Sequence, residues 1–279
     1  MRINGFNFRD VGCIVNGIRK ESCGSKPAVN LYVVVTRQCN ASCKFCTFRG
    51  SCATIDIDKF RETIDYILSF CDIDTVHFTG GEPSFNIGII QEICKIVKNR
   101  CTLIKTSCNT NGIYLEELGN IEELDNIALS RHSVHDIENF ELFRTDSVPD
   151  LIRLQDFKYK DKLHLSCNLI KGYIDSKSRV LEYLDFAGDI VGCCDVGFVG
   201  LMSVNEWCKN YYIEMPSMDG VFLSRHSEDV ENNILYCKCS NWLYQTKELH
   251  FVSAYYRHVL CSRSDGGCFV YENNLLRQG

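Results

Sequence analysis

Cys39-Asn40-Ala41-Ser42-Cys43-Lys44-Phe45-Cys46 follows directly on the apolar stretch Leu31 to Thr36. A strand running into a loop with three thiols places three soft ligands on one short turn, which suits an iron-sulfur cluster. A complete protein cage for such a cluster takes four thiolates. Three leave one iron open to an outside ligand, and an open position is what chemistry requires. The competing reading from spacing alone is a structural zinc knuckle that recruits one further ligand.

The next segment weighs on that choice. Thr75 to Phe78 reads as a short buried strand that runs into Thr79-Gly80-Gly81-Glu82-Pro83, ahead of an apolar, helix-length stretch from Asn86 to Val97. Paired glycines let a backbone come close to a ligand, and the following acid offers an acceptor to an ammonium group. One helix-length segment, Asp58 to Phe70, separates the two motifs. Together they resemble the radical S-adenosylmethionine (SAM) superfamily. That resemblance implies a four-iron four-sulfur cluster on Cys39, Cys43 and Cys46, with SAM chelating the free iron and cleaved reductively to a 5′-deoxyadenosyl radical. It also implies that Gly80, Gly81, Glu82 and Pro83 bind the SAM amino group, and that Phe45 packs near the adenine.

Composition agrees with an intracellular enzyme. The chain has 279 residues, 45% of them hydrophobic, enough to bury a substantial core. No N-terminal apolar signal, bilayer-length apolar stretch, repeat or linker-like break is evident, so a cytoplasmic protein without a membrane partner is expected. Eighteen cysteines in so large a chain point to metal ligation and buried thiols rather than to disulfides. A net charge of -6 argues against a nucleic-acid partner.

Strands and helices alternate. After Leu31 to Thr36, the strand candidates are Thr75 to Thr79, Thr102 to Ser107, Asn126 to Ser130, Lys162 to Leu169 and Asp195 to Leu201. Helix-length segments such as Ile57 to Phe70, Asn86 to Lys98 and Ser176 to Phe186 lie between them. The expected fold is α/β: parallel strands joined by helical crossovers. Six such units fit the partial (β/α)6, TIM-like barrel that the resemblance implies over residues 25–205, with an N-terminal extension at 1–24 and a further module at 206–279. Ligands collect at the carboxyl ends of such strands. Gly80 to Glu82, Asn111, Ser130, Asn168 and Lys171 fall there, either as ligand contacts or as ordinary strand-end turn chemistry.

A finer resemblance is to the branch containing the GTP cyclase that starts molybdenum cofactor synthesis. It rests on Leu165-Ser-Cys-Asn168-Leu-Ile-Lys171-Gly172-Tyr-Ile-Asp175 and Phe198-Val-Gly-Leu-Met202. Cys237-Lys-Cys239 precedes the alternating run Asn241 to His258, with Cys261 and Cys268 beyond it. These positions resemble a small C-terminal β-hairpin module, of the type called twitch, that holds a second four-iron four-sulfur cluster. The fourth ligand is then Cys208 or Cys268, or is absent, with Cys193-Cys194 as a third choice. The alternative is that several are simply buried thiols. Trp242 and Tyr244 stand where the cyclase carries phosphate-binding arginines, which removes the expected charge-assisted contacts to a triphosphate. Lys171 matches a substrate-contacting lysine of the cyclase. Arg131-His132-Ser-Val-His135-Asp136 follows the fourth strand, where His132 can serve as acid or base and Arg131 can hold a carboxylate. Their plainer reading is loop residues bonded to Asp136 or to backbone.

The expectation is a radical SAM enzyme that abstracts hydrogen from a small metabolite or nucleotide-derived substrate, with an external reductant such as flavodoxin or ferredoxin. A maturase that crosslinks or epimerises a short ribosomal peptide is the runner-up. A non-enzymatic metal-binding or scaffold protein, which predicts zinc rather than iron, is the third reading.

Overall fold

The computed structural model describes residues 2–3, 6–7, 13–15, 18–20, 28–46, 48, 50, 55–193, 195–214, 224–225, 239–244, 247–252 and 268–278. Its core is six consecutive parallel strands: β1 (Ala28–Thr36), β2 (Asp72–Gly80), β3 (Lys105–Thr110), β4 (Asn126–Ser130), β5 (Leu163–Leu169) and β6 (Asp195–Gly200). The helices between them are α1 (Ile57–Phe70), α2 (Ile87–Arg100), α3 (Leu115–Gly119), α4 (Asp136–Phe143), α5 (Leu151–Asp156) and α6 (Lys177–Asp185), with α7 (Glu206–Tyr211) after β6. This is the α/β, mostly parallel architecture of a partial TIM-like barrel.

Local sequence explains the elements. Asp56 caps α1 by accepting from the Asp58 and Lys59 amides, at 3.0 and 3.1 Å. Phe60, Ile64, Ile67 and Phe70 then recur at helical spacing and are all buried. On β5, Leu163, Leu165, Cys167 and Leu169 are buried while His164, Ser166 and Asn168 alternate as half-buried residues on the opposite face. Branched apolar side chains usually fill a TIM barrel's interior. Here the inward positions include Tyr32, Thr79, Asn109, Ser130, Ser166 and Asn168, which line a cavity instead.

The third strand starts later than its apolar run predicts. Cys101 caps α2, its amide donating to the Val97 carbonyl, and Leu103 is 83% exposed in the turn that follows. Lys98 fixes that turn through the Ile104 carbonyl and Asp125, so the ladder begins with Thr75 opposite Lys105.

The sheet runs on past both edges of the six-strand core. Five further ladders involve β7 (Ser224–Arg225), β8 (Cys239–Tyr244), β9 (Lys247–Val252), β10 (Cys268–Glu272) and β11 (Leu275–Gln278). The order is β7-β8-β9-β6-β5-β4-β3-β2-β1-β10-β11. The β8–β9 hairpin is antiparallel, and β9 extends the core in parallel beside β6. At the other edge β10 runs parallel to β1, with Phe269 opposite Leu31 and Tyr271 opposite Val33. Buried Tyr271 packs edge-on against Phe60 of α1. Among the described residues no helix is long and apolar enough to cross a membrane.

Candidate active site

A cavity of about 1020 Å³ opens at the carboxyl ends of the six core strands. It lies at the upper end of the range of roughly 300–1,000 Å³ typical of small-molecule sites. Cys39, Cys43 and Cys46, the Gly80-Gly81-Glu82 segment, Asn111, Ser130, His132 and Asn168 all line it.

The cysteine loop is pinned from three sides. α4 ends at Phe143, before the left-handed residue Arg144, and a helix end leaves carbonyls without intrahelical partners. Two of these accept from the loop: Ser42 N–H to the Phe143 carbonyl at 3.0 Å and Lys44 N–H to that of Leu142 at 3.2 Å. Lys44 also pairs with Glu141 at 2.8 Å. α7 docks from a second side, where its capping residue Asn205 donates to the Lys44 carbonyl. From the third, Arg37, just before the loop, donates through Nε to Glu272 of β10 at 2.6 Å and lies over the Phe48 ring.

The glycine pair has a structural cause beyond approach to a ligand. Gly80 has φ of +132°, and a Cβ there would meet the Thr36 carbonyl oxygen at 2.1 Å. A Cβ on Gly81 would meet the Gln38 oxygen at 2.1 Å and the Arg37 oxygen at 2.7 Å. Gly81 and Glu82 amides donate to Thr36 and Gln38, each at 2.7 Å. The segment therefore extends the β1–β2 contact up to the stem of the cysteine loop.

Glu82, 1% exposed, is committed within the protein. Its Oε1 accepts from the Ser84 amide and hydroxyl and from the Thr110 hydroxyl, and its Oε2 accepts from the Asn111 amide at 2.7 Å. Burial pushes its pKa up, and these bonds oppose that shift. The carboxylate thus ties β2 to β3. Pro83 and Ser84 behind it are buried.

The loop cysteines differ in environment. Cys39 is exposed, while Cys43 and Cys46 are half-buried. Cys39 Sγ accepts from the Ala41 amide at 3.4 Å and from Asn111 Nδ2 at 3.8 Å. Burial raises its pKa and these bonds lower it. Among the described residues no three His, Cys, Asp or Glu side chains converge where one ion could sit. Cys39, Cys43 and Cys46 on one cavity edge supply three soft thiolate donors, the ligand type that iron-sulfur clusters take. The Asn40 Nδ2, buried without a partner among the described residues, is a further donor beside Cys39.

Residues after β4 divide into two groups. His132 Nδ1 accepts from the Asn168 amide at 3.0 Å, so the neutral ring carries its proton on Nε2. Its ring stacks on Phe143 and meets Phe45 edge-on. His132 thus lies at the cavity, bonded to backbone and not to Asp136. Arg131 does not reach the cavity, which corrects its assignment as a carboxylate clamp. It is 3% exposed and donates to Asp136, the Val134 carbonyl and the Pro149 carbonyl, with its guanidinium over Phe186. Asp136 draws it behind the wall. Lys171 is exposed and lies outside the cavity lining, its amide donating to the Tyr211 carbonyl.

Phe45 joins Leu142, Ile170, Leu201, Tyr173 and Trp207 in an apolar wall. The neighbouring Cys208 is buried in α7, its Sγ donating to the Phe45 carbonyl at 3.7 Å. This sets it against the first cysteine loop. Cys193 is also buried, with Sγ donating to Leu163. Cys71 and Cys94 lie in the core. Cys239 begins β8 and Cys268 begins β10, whereas Cys194, Cys237 and Cys261 lie outside the described residues. Sequence reasoning passed over Asn40, Asn205 and Glu272; only the first carried a signal, its place next to the first loop cysteine.

Residues 33–163 match the model of the Radical SAM superfamily. A protein of Thermococcus kodakarensis named "Probable GTP 3',8-cyclase" is 22% identical across 90% of this chain and 88% of its own length. The GTP 3',8-cyclase of Aquifex aeolicus is 25% identical across 66% of this chain and 60% of its own. In fold, the chain is similar to Streptococcus suis SuiB bound to its precursor peptide SuiA, with TM-score 0.54 and 18% identity, covering 83% of this chain and 51% of that one. The chain therefore spans about half the length of that solved structure.

Proposed function

On the premise of a radical SAM domain over residues 33–163, we propose that the chain abstracts hydrogen from a small, polar metabolite or nucleotide-derived substrate held in the barrel. The observation that carries this reading is the single cavity edge shared by three cysteines, the glycine-rich segment and the polar ends of the strands. When bound, a four-iron four-sulfur cluster with SAM on its open iron supplies reductive cleavage of SAM to a 5′-deoxyadenosyl radical.

The chain's own residues bind, orient and enclose. Cys39, Cys43 and Cys46 hold the cluster. Because the Glu82 carboxylate is spent on Ser84, Thr110 and Asn111, contact with the SAM ammonium falls to backbone carbonyls of the Gly80 to Pro83 segment. Phe45 offers its ring to the adenine, and Ser130 and Asn168 offer polar contacts from the facing wall. His132 acts as a positioning residue, holding the Asn168 amide. Phe45, Phe143 and Leu201 line the cavity with apolar surface and keep water from a reactive intermediate. Lys171, exposed and outside the cavity lining, stays a candidate for the outer end of a substrate. An external one-electron donor of the flavodoxin or ferredoxin class supplies the reducing electron.

The preference for a small molecule draws on the cyclase relatives, one of which matches most of the chain. A second cluster on Cys237, Cys239 and Cys261 remains part of the proposal. Cys268 is its candidate fourth ligand, since Cys208 is taken up against Phe45.

The test is iron and sulfide per chain after anaerobic reconstitution, for wild type and for a variant with Cys39, Cys43 and Cys46 all changed to Ala. Two clusters predict about eight irons falling to about four; one cluster predicts about four falling to none. Dithionite and SAM should then yield 5′-deoxyadenosine from wild type alone. Zinc in place of iron, or equal yields from both proteins, overturns the reading. If a short peptide stimulates cleavage and nucleotides do not, the substrate class is corrected to peptide.

A further inference from the structure

Asn111 enters the cavity at the end of β3 with every polar group of its side chain assigned. Its Oδ1 accepts from the Ile113 amide at 3.2 Å. A backbone amide is always a donor, so this bond fixes which way the Asn111 carboxamide faces. Nδ2 must then point the other way, where it meets Asn40 Oδ1 at 2.7 Å and Cys39 Sγ at 3.8 Å. The orientation propagates. With its oxygen held by Asn111, Asn40 presents Nδ2 elsewhere, and that nitrogen is buried with no partner among the described residues. The Asn111 amide is itself anchored on Glu82 Oε2 at 2.7 Å.

The chain thus builds a relay, Glu82 to Asn111 to Asn40, that ends in one N–H aimed at the Cys39 sulfur and a second with no acceptor among the described residues. An unsatisfied buried amide is costly unless something accepts from it. The inorganic sulfides and thiolate sulfurs of an iron-sulfur cluster are such acceptors, and hydrogen bonds to them set cluster potentials. We propose that Asn111 is a positioning residue that orients Cys39 and Asn40 toward the cluster and raises its reduction potential, making it easier to reduce. Extra negative charge on the reduced cluster strengthens N–H to sulfur bonds, so these donors favour the reduced state.

This rests on the cluster reading above, and the experiment separates the two. Reconstituted full-length wild type, Asn111→Ala and Asn40→Ala are compared for iron content, thermal midpoint and cluster midpoint potential by redox titration. The expected result is wild-type iron in both variants, with the reduced-to-oxidised ratio at a fixed poise falling about tenfold in Asn111→Ala, equivalent to about 59 mV for one electron. A smaller fall in the same direction is expected for Asn40→Ala. Loaded variants whose potentials equal that of wild type overturn the inference and leave the cluster reading standing. No iron in wild type removes the cluster reading itself. Should Asn111→Ala fail to fold, Asn40→Ala decides alone, because it leaves the Ile113 and Glu82 bonds in place: an unchanged potential there overturns the proposal.

Discussion

Gly81→Ala should be among the most damaging small substitutions in the chain. The added Cβ would sit 2.1 Å from the Gln38 carbonyl oxygen and 2.7 Å from both the Gln38 carbonyl carbon and the Arg37 oxygen. All three atoms are backbone, so no rotamer change relieves the clash. Restoring an ordinary contact requires the end of β1 to move by about 1 Å, which stretches the Gly81-to-Thr36 and Glu82-to-Gln38 bonds from 2.7 Å beyond the limit of about 3.2 Å for such bonds. Two lost hydrogen bonds at about 1 kcal/mol each, with overpacking of about 1–3 kcal/mol, give a loss of about 3–5 kcal/mol. At about 2–4 °C per kcal/mol, the thermal midpoint should drop by roughly 6–20 °C.

Gly88→Ala is the matched control. It lies seven residues on, exposed in the first turn of α2, with nothing within 4 Å of its would-be Cβ. Replacing a helical glycine by alanine there should stabilise by about 0.5–1 kcal/mol. Differential scanning calorimetry of both variants checks the pair. A Gly81→Ala protein melting within about 2 °C of wild type, less than 1 kcal/mol by that scale, would refute the claim that the glycine pair exists to seat the cysteine-loop stem.

Three further outcomes follow from the site. Burial raises the Glu82 pKa, so its folded form holds a proton more tightly than the unfolded chain and its contribution to stability is lost as pH rises through the raised value. In Glu82→Gln that decline should vanish, while the amide facing the Asn111 N–H costs about 1–3 kcal/mol; urea melts across the weakly acidic range report both. Glu272→Gln should weaken the grip of β10 on Arg37 by about 1–3 kcal/mol, read as faster hydrogen exchange at Phe269 to Tyr271 with β3 to β5 unchanged. Asn205→Ala removes both the cap of α7 and the bond to the Lys44 carbonyl. It should cost about 1–2 kcal/mol and speed alkylation of the buried Cys208 thiol without touching any cavity-lining side chain.

What was legible in the sequence is what repeats locally. The apolar spacing of Phe60, Ile64, Ile67 and Phe70 and the alternation through Leu163 to Leu169 each report a buried face, and the elements formed there. The Thr102 to Ser107 strand slipped because Leu103 and Ile104 look like strand residues, yet the cap at Cys101 and the grip of Lys98 hold them in a turn. Arg131 misled for a related reason: position at a strand end says nothing about which side of the wall a long side chain takes, and Asp136, Val134 and Pro149 decide it. The return of β10 to β1 had no local signal either, since Phe269 and Leu31 meet only through folding.

The cysteine loop and the glycine segment read in sequence as two motifs with two tasks, one for metal and one for SAM. In three dimensions they are a single closed circuit. Gly81 and Glu82 amides bind the loop's stem at Thr36 and Gln38, the Glu82 carboxylate binds Thr110 and Asn111, and Asn111 returns to Asn40 and Cys39. Each bond in the circuit restricts the next, so a change at the glycines is transmitted to the cysteine thiol through the chain's own hydrogen bonds. Buried polar networks of this sort hold one geometry when every member is satisfied. The one member without a partner among the described residues, Asn40 Nδ2, is therefore where the circuit stays open to a further acceptor.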